Sequence, residues 1–188
     1  FGINDNNVNN VSIGYKNGTC GYTLGNMEES NSFLGNGGSG ALELGDSITQ
    51  YVGINCNKQG FTFKYDIGNT NINGTNTSII KNGSAISDTW KIGYTRNNWL
   101  FEIGQPLAVR SGNLNIDVAS SVNSNGSHNY SNYMIDINPD NRHTTANLSW
   151  NNSITNNLNI NFGIGYDNNY ANINGDEWNA ITGVKYVF

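Results

Sequence analysis

The last twelve residues read Glu177-Trp178-Asn179-Ala180-Ile181-Thr182-Gly183-Val184-Lys185-Tyr186-Val187-Phe188, and their alternation decides the fold class. Trp178, Ala180, Thr182, Val184, Tyr186 and Phe188 fall on one side of a strand. Asn179, Ile181, Gly183, Lys185 and Val187 fall on the other, because successive side chains of a strand point to opposite faces. One face is apolar with aromatics at both ends, and the other carries Gly, Asn and Lys. A strand crossing an outer membrane has that layout, with an apolar lipid face, aromatic ends and a polar lumen side.

The ending resembles the closing signal of Gram-negative outer-membrane proteins. That signal has a polar residue, a glycine two positions later, and a terminal pair of hydrophobics ending on an aromatic. Gly183, Tyr186 and Phe188 fit it, and Ile181 departs from it by standing where a polar residue is usual. The resemblance implies that these residues form an assembly signal read by the barrel assembly machinery.

The same alternation recurs upstream. Phe61, Phe63, Tyr65 and Ile67 oppose Thr62, Lys64, Asp66 and Gly68. Trp90, Ile92 and Tyr94 oppose Lys91, Gly93 and Thr95, and Trp99, Phe101 and Ile103 oppose Glu102 and Gly104. Leu114, Ile116 and Val118 alternate with Asn113, Asn115 and Asp117. Thr144, Ala146, Leu148 and Trp150 alternate with Thr145, Asn147, Ser149 and Asn151. The clearest run sets Leu158, Ile160, Phe162, Ile164 and Tyr166 against Asn159, Asn161, Gly163, Gly165 and Asp167. No 3.6-residue period is visible. The expectation is an all-β, antiparallel, up-and-down transmembrane β-barrel of about 10–12 strands, most of them roughly nine to eleven residues long. A soluble sandwich would alternate too, with its apolar faces packed together. Few surface Lys and Glu are present to keep soluble sheet edges apart.

The pattern places turns and loops as well. Val11–Lys16 reads as the first strand, Asn17-Gly18 as a hairpin turn, and Cys20–Met27 as the return strand. Residues 1–10 read as a patternless N-terminal extension, 28–40 as a Gly-rich loop, and 69–86 as a polar loop. Ala41–Asn57 reads as one long strand or two, broken near Gly45-Asp46. Asn97-Asn98 and Pro139-Asp140 read as turns, and Asn123–Ser127 as a loop leading into a strand over Tyr133–Asn138. Pro106 predicts a bulge or an end of pairing.

Composition narrows the functional classes. The chain has 188 residues, room for one domain, with a net charge of −5, a charged fraction of 12% and 23 glycines. Its nine Lys and Arg are scattered singly, which argues against a nucleic-acid partner. Mean hydropathy is −0.49, and no apolar run is long enough for a membrane-spanning helix. The chain starts at Phe1 without a Met, as expected of a mature product or a fragment. The Gly35–Gly40 patch is followed by no Gly-Lys-Ser/Thr and reads as a loop rather than a phosphate cradle. Repeated Asn-x-Ser/Thr sequons are expected by chance in so Asn-rich a chain. Cys20 and Cys56 are either a disulfide pair or two free thiols, with no nearby histidine to make a metal pair. No cofactor site is expected.

A second resemblance covers about the last half of the chain. Ile103-Gly104-Gln105-Pro106-Leu107-Ala108-Val109-Arg110-Ser111-Gly112, then Ile135-Asp136-Ile137-Asn138-Pro139, then Gly183–Phe188, are similar to runs in the C-terminal barrels of subtilisin-like serine proteases. Those barrels are autotransporter-type translocators. The resemblance implies a barrel in the outer membrane, at the cell surface, that anchors or exports an N-terminal passenger such as a protease. It does not extend to a helix over residues 1–10, and such translocators tend to be longer.

No catalytic residue is assigned within the chain. His128 and His143 lie at loop or turn positions away from any nucleophile elbow, and His143 beside Arg142 and Asp140 reads as a solvated turn. Asp136, Asp140, Asp167, Asp176 and Glu177 have no evident pocket. Lys64, Lys91, Glu102, Asn161 and Lys185 are expected to line a polar lumen. The alternative expectation is a stand-alone surface β-protein with a structural, adhesive or filament-forming role.

Overall fold

The computed structural model describes residues 2–5, 8–37, 40–155 and 157–186. The strands are β1 (Gly2–Asp5), β2 (Val8–Asn17), β3 (Cys20–Glu29), β4 (Ser32–Phe33), β5 (Asn36–Gly37), β6 (Leu44–Lys58) and β7 (Phe61–Gly74). They continue as β8 (Ile80–Arg96), β9 (Trp99–Val122), β10 (His128–Asp136), β11 (Thr144–Ser153), β12 (Leu158–Asn168) and β13 (Asp176–Tyr186). Eleven of them form one antiparallel sheet in the order β1-β2-β3-β6-β7-β8-β9-β11-β12-β13, with β10 branching from β9. β4 and β5 make a separate two-residue hairpin. Strands consecutive in the chain pair except around the β4–β5 hairpin and between β10 and β11, so the topology is up-and-down. Among the described residues β1 and β13 are not paired to each other, and the sheet keeps two edges.

Two rims differ. At one, β2–β3, β6–β7 and β8–β9 are joined by two-residue turns. Gln59 and Gly60 both take positive φ, as a primed hairpin turn requires. Gly60 is needed there, because a Cβ would sit 2.3 Å from the carbonyl oxygen of Thr95. The other rim carries the longer connections, 30–43, 75–79, 123–127 and 169–175.

Cross-strand register carries the faces seen in the sequence right across the sheet. From β2 to β7 one apolar row passes through Ile13, Leu24, Val52 and Ile67, and it ends against Asp88 of β8. Further on, Phe61 lies opposite Tyr94, Tyr94 opposite Phe101, Phe101 opposite Leu148, Leu148 opposite Ile164, and Ile164 opposite Ala180. Among the described residues no second sheet covers this face: Phe101, Phe61 and Trp178 are 48%, 59% and 69% exposed. The sandwich alternative, which needs these faces packed together, does not describe this architecture.

Burial is inverted. Among the described residues the buried apolar side chains are Ile72, Ile80, Ala85 and Ala108, whereas Glu29, Ser47, Thr49, Thr70, Ser78, Ser87, Asp88 and Gln105 are buried polar. Ser47, Thr49, Thr70 and Ser87 lie on the polar face of β6–β8, and Thr49 and Thr70 share a 2.8 Å hydrogen bond. Glu29 draws the 30–37 connection over this face. Its carboxylate accepts from the backbone N–H of Leu34 and of Gly35, both at 2.8 Å, and from the Ser32 hydroxyl at 3.2 Å. The polar face is the sheltered one.

Several sequence expectations need correction. Residues 2–5 and 8–10 belong to β1 and β2, whose pairing with each other was hidden by their Asn-rich composition. β7 and β8 extend through most of the expected 69–86 loop, because Asn, Gly and Ser alternate there with Ile72, Ile80 and Ile86 and still fill a ladder. β6 is one strand with a register shift between Leu44 and Ser47, around the suspected break. β3 runs to Glu29, into the expected 28–40 loop, of which residues 38 and 39 lie outside the described residues. β10 starts at His128 and ends at Asp136, earlier than expected. At Pro106 the first of the two expected outcomes holds: β9 runs on for 24 residues with a register shift there.

Candidate functional site

β9 is forked, and the fork gathers most of the chemistry-bearing residues. On one side it pairs with β8 along most of its length. On the other it pairs with β11 over Trp99–Gly104 and with β10 over Asn113–Val122. Between them, residues 137–143 leave the ladder. Opposite this gap β9 holds the expected irregularity: Trp90 faces Gln105 and Asp88 faces Ala108, so Pro106 and Leu107 together oppose Thr89 in a bulge. Pro106 lacks an N–H to donate, so it is tolerated where the ladder on the β11 side has just ended. The bulge turns Leu107 into a cleft of about 410 Å3 that also involves Thr49, Tyr51, Leu34 and Ser87.

The two runs of the second resemblance meet here. The amide of Gly112 donates to the Asn138 side-chain oxygen at 2.8 Å, and the Ile137 amide donates to the Gly112 carbonyl at 3.1 Å. Asp136 in turn accepts from the Asn138 amide at 2.9 Å. Gln105 is buried and donates to Asp88 Oδ1 at 3.2 Å. Arg142 comes off the crossing segment and donates from Nη2 to that same oxygen. The Arg142 Nε is buried without a hydrogen-bond partner among the described residues.

Beside it, His143 is not in a solvated turn. Its side chain is 14% exposed and its Nε2 lies 3.0 Å from Asp167 Oδ1. The carboxylate's second oxygen accepts from Asn179 Nδ2 at 2.9 Å, and the ring meets Tyr170 edge-on with centroids 5.4 Å apart. The His143 amide donates to Asn172 Oδ1 at 3.0 Å, which fastens the 169–175 connection over the ring. Sequence reasoning missed this because Asp167 belongs to the next hairpin. A His–Asp pair orients an imidazole; a hydrolase would need a nucleophile beside it.

The polar face below the fork holds a cleft of about 570 Å3 lined by Asn55, Asn57, Thr62, Lys64, Thr89, Lys91, Glu102, Gln105, Thr145 and Asn147 among others. Lys64 and Lys91 are directly opposite each other, an unfavourable pair on its own. Each is neutralised by its own carboxylate: Lys64 by Asp66 at 3.0 Å, and Lys91 by Glu102 at 3.2 Å. The cleft is therefore polar with little net charge. Asn161, Gly183 and Lys185 lie on the same face further along, away from this cleft.

The remaining candidates are dispersed. Cys20 and Cys56 face each other across β3 and β6 and are bonded, with an S–S distance of 2.08 Å. His128 opens β10, its ring 6.4 Å from that of Tyr130. Asp176 accepts from Asn168 at 2.9 Å, and Glu177 lies opposite Asp167 on the neighbouring strand. Asp140 sits in the crossing segment. Gly183 and Tyr186 lie on β13, while Phe188 is outside the described residues. Among the described residues no group of three His, Cys, Asp or Glu could hold a metal ion. Among the described residues no helix is long and apolar enough to cross a membrane, which says nothing about a β-barrel.

Comparison of the chain with family models, with curated proteins and with solved structures returns no match.

Proposed function

We propose that the chain is a β-barrel domain of a Gram-negative outer membrane that anchors or exports an N-terminal passenger of the subtilisin-like protease class. The observation that carries this reading is the inverted burial. A broad apolar face, interrupted at the buried Asp88 and Gln105 and including Leu24, Val52, Phe63, Ile92, Phe101, Leu148 and Phe162, lies exposed while threonines, serines and a glutamate are sheltered. Contiguous exposed apolar faces of this kind mark partner or membrane contact rather than a surface left bare to water. In a bilayer the same face needs no cover, and antiparallel pairing satisfies the backbone groups that lipid cannot. Aromatic pairs at the margins support the reading: Trp99 with Trp150, ring centroids 6.4 Å apart, and Tyr166 with Trp178, 4.8 Å apart. So does the contrast between two-residue turns at one rim and longer connections at the other.

The passenger rests on the resemblance of Ile103–Gly112 and Ile135–Pro139 to protease-linked barrels. The chain's own role in this reading is mechanical: a closed wall, a weakly charged lumen around Lys64, Lys91 and Glu102, and a terminal strand that pairs with the assembly machinery by strand addition.

Heat-modifiability tests it. The protein is run unboiled and boiled on a detergent gel, with and without reductant. A compact band that shifts only on boiling is expected. A protein soluble in plain buffer that shows no shift rejects the barrel. A secretory signal peptide immediately upstream of Phe1 would turn the reading to a stand-alone surface barrel; a protease domain there supports the passenger.

A further inference from the structure

We infer that the open edge of the sheet is filled by a β-strand made of the residues directly preceding Phe1 in the full-length protein, running antiparallel to β2 along Ile13–Asn17. This rests on the reading of the chain as a domain that follows a passenger.

The edge is half covered. β3 pairs with β2 over its whole length, from Val8 opposite Glu29 to Asn17 opposite Cys20. On the other side β1 pairs only with Val8–Val11. Among the described residues no strand lies on that side of Ile13–Asn17. A row of backbone donors and acceptors is thus presented at the level of the apolar face, where a lipid neighbour could satisfy none of them.

Strand direction selects the occupant. The path from β2 to β13 has nine strands, each antiparallel to the next, so β2 and β13 run the same way. β13 laid directly on β2 would make a parallel pair joined by no crossover, contrary to the rest of the sheet. A strand between them must be antiparallel to both. β1 already has that direction, and continuing it backwards keeps it.

Register then makes the inference specific. Gly2 is opposite Val11, Ile3 opposite Asn10, Asn4 opposite Asn9 and Asp5 opposite Val8. Each step towards the N terminus moves one residue further along β2. The first residue before Phe1 therefore falls opposite Ile13 and the third opposite Tyr15. Ile13 and Tyr15 are 72% and 67% exposed and belong to the apolar face; Gly14 and Lys16 belong to the polar one. Directly opposed residues share a face. The first and third residues before Phe1 are accordingly apolar or aromatic, and the second and fourth are polar or small.

The test uses the full-length protein, folded in detergent micelles. Tyr15→Cys is combined with a cysteine at the third residue before Phe1, and in a separate variant with Val184→Cys. After mild oxidation the first pair is expected to give an intramolecular disulfide, seen as a mobility shift that reductant reverses, and the second pair none. Linkage of Tyr15→Cys to Val184→Cys, linkage between two chains, or no linkage overturns the inference. So does a mature protein whose N terminus is Phe1. As a measurement without substitutions, hydrogen exchange should find the outward amides within 13–17 protected; fast exchange there also overturns it. Heat-modifiability separates the two failures: a heat-modifiable protein lacking the crosslink loses only the added strand, whereas a protein without the shift loses the barrel.

Discussion

Arg142, on the segment that joins β10 to β11, reaches Asp88 of β8 across 54 residues of chain, and both Arg142 Nη2 and Gln105 Nε2 converge on Asp88 Oδ1. Asp88 is 5% exposed, so the ion pair closes the fork of β9 from one side. Breaking a buried pair by removing one partner leaves the other charge uncompensated. Arg142 is part-exposed, so Arg142→Ala is expected to destabilise the folded protein by about 1–3 kcal/mol, less than for a fully buried pair. Arg142→Met with Asp88→Asn should cost less than the two single changes summed. The check is a double-mutant cycle on the temperature at which the compact gel band is lost; strict additivity would mean that the pair is not coupled.

Placement of charge on the two faces separates a membrane wall from a soluble sheet. Phe101→Arg puts a cation on the apolar face, two residues in from Trp99 at the margin, and should weaken insertion by about 1–2 kcal/mol, between the interfacial and midplane costs. Asn147→Arg, on the opposite face beside Glu102 of the neighbouring strand, should leave insertion nearly unchanged. Folding into vesicles, followed by the heat-sensitive band, reads both. Equal behaviour of the two variants contradicts an apolar face in contact with lipid.

Cys20–Cys56 closes a loop with a sequence separation of 36. A loop of that size corresponds to about 4 kcal/mol of lost chain entropy in the unfolded state. Reduction should lower the unfolding midpoint without removing the compact band at low temperature, because β3 and β6 stay paired along ten residue pairs. The gel run with and without reductant after graded heating tests this. Identical midpoints would assign the bond no part in stability.

Two glycines with nearly the same positive φ should respond differently to alanine. Gly60 has φ +86° and a Cβ there meets the Thr95 carbonyl at 2.3 Å, whereas Gly126 has φ +82° and open space. Gly126→Ala carries only the left-handed cost of about 1–2 kcal/mol. Gly60→Ala adds a backbone clash between neighbouring hairpins and should destabilise clearly more. Unfolding midpoints of the two variants decide it.

Asn172 holds the 169–175 connection to the His143 amide. Asn172→Ala should speed proteolysis in 169–175 several-fold without moving the midpoint of the sheet, since β12 and β13 pair along their full length below it. Limited proteolysis with thermal unfolding of the same sample is the check. Unchanged cleavage would mean that the connection is held by other contacts.

The alternation of Leu158–Tyr166 and of Trp178–Tyr186 determined the strands and their two faces, because side-chain direction in a strand depends only on position along the chain. The same local rule marked Pro106 as an irregularity and Asn97-Asn98 as a turn. It failed where polar residues fill a ladder, as in Ile72–Asn73 against Asn82–Gly83, since backbone pairing needs no apolar side chain to hold it. Which strands neighbour which, the bond between Cys20 and Cys56, and the meeting of Arg142 with Asp88 and of His143 with Asp167 belong to the tertiary structure alone. Those contacts join residues far apart in sequence. Their partners are chosen by register and by the bulge at Pro106, neither of which a single strand's pattern contains.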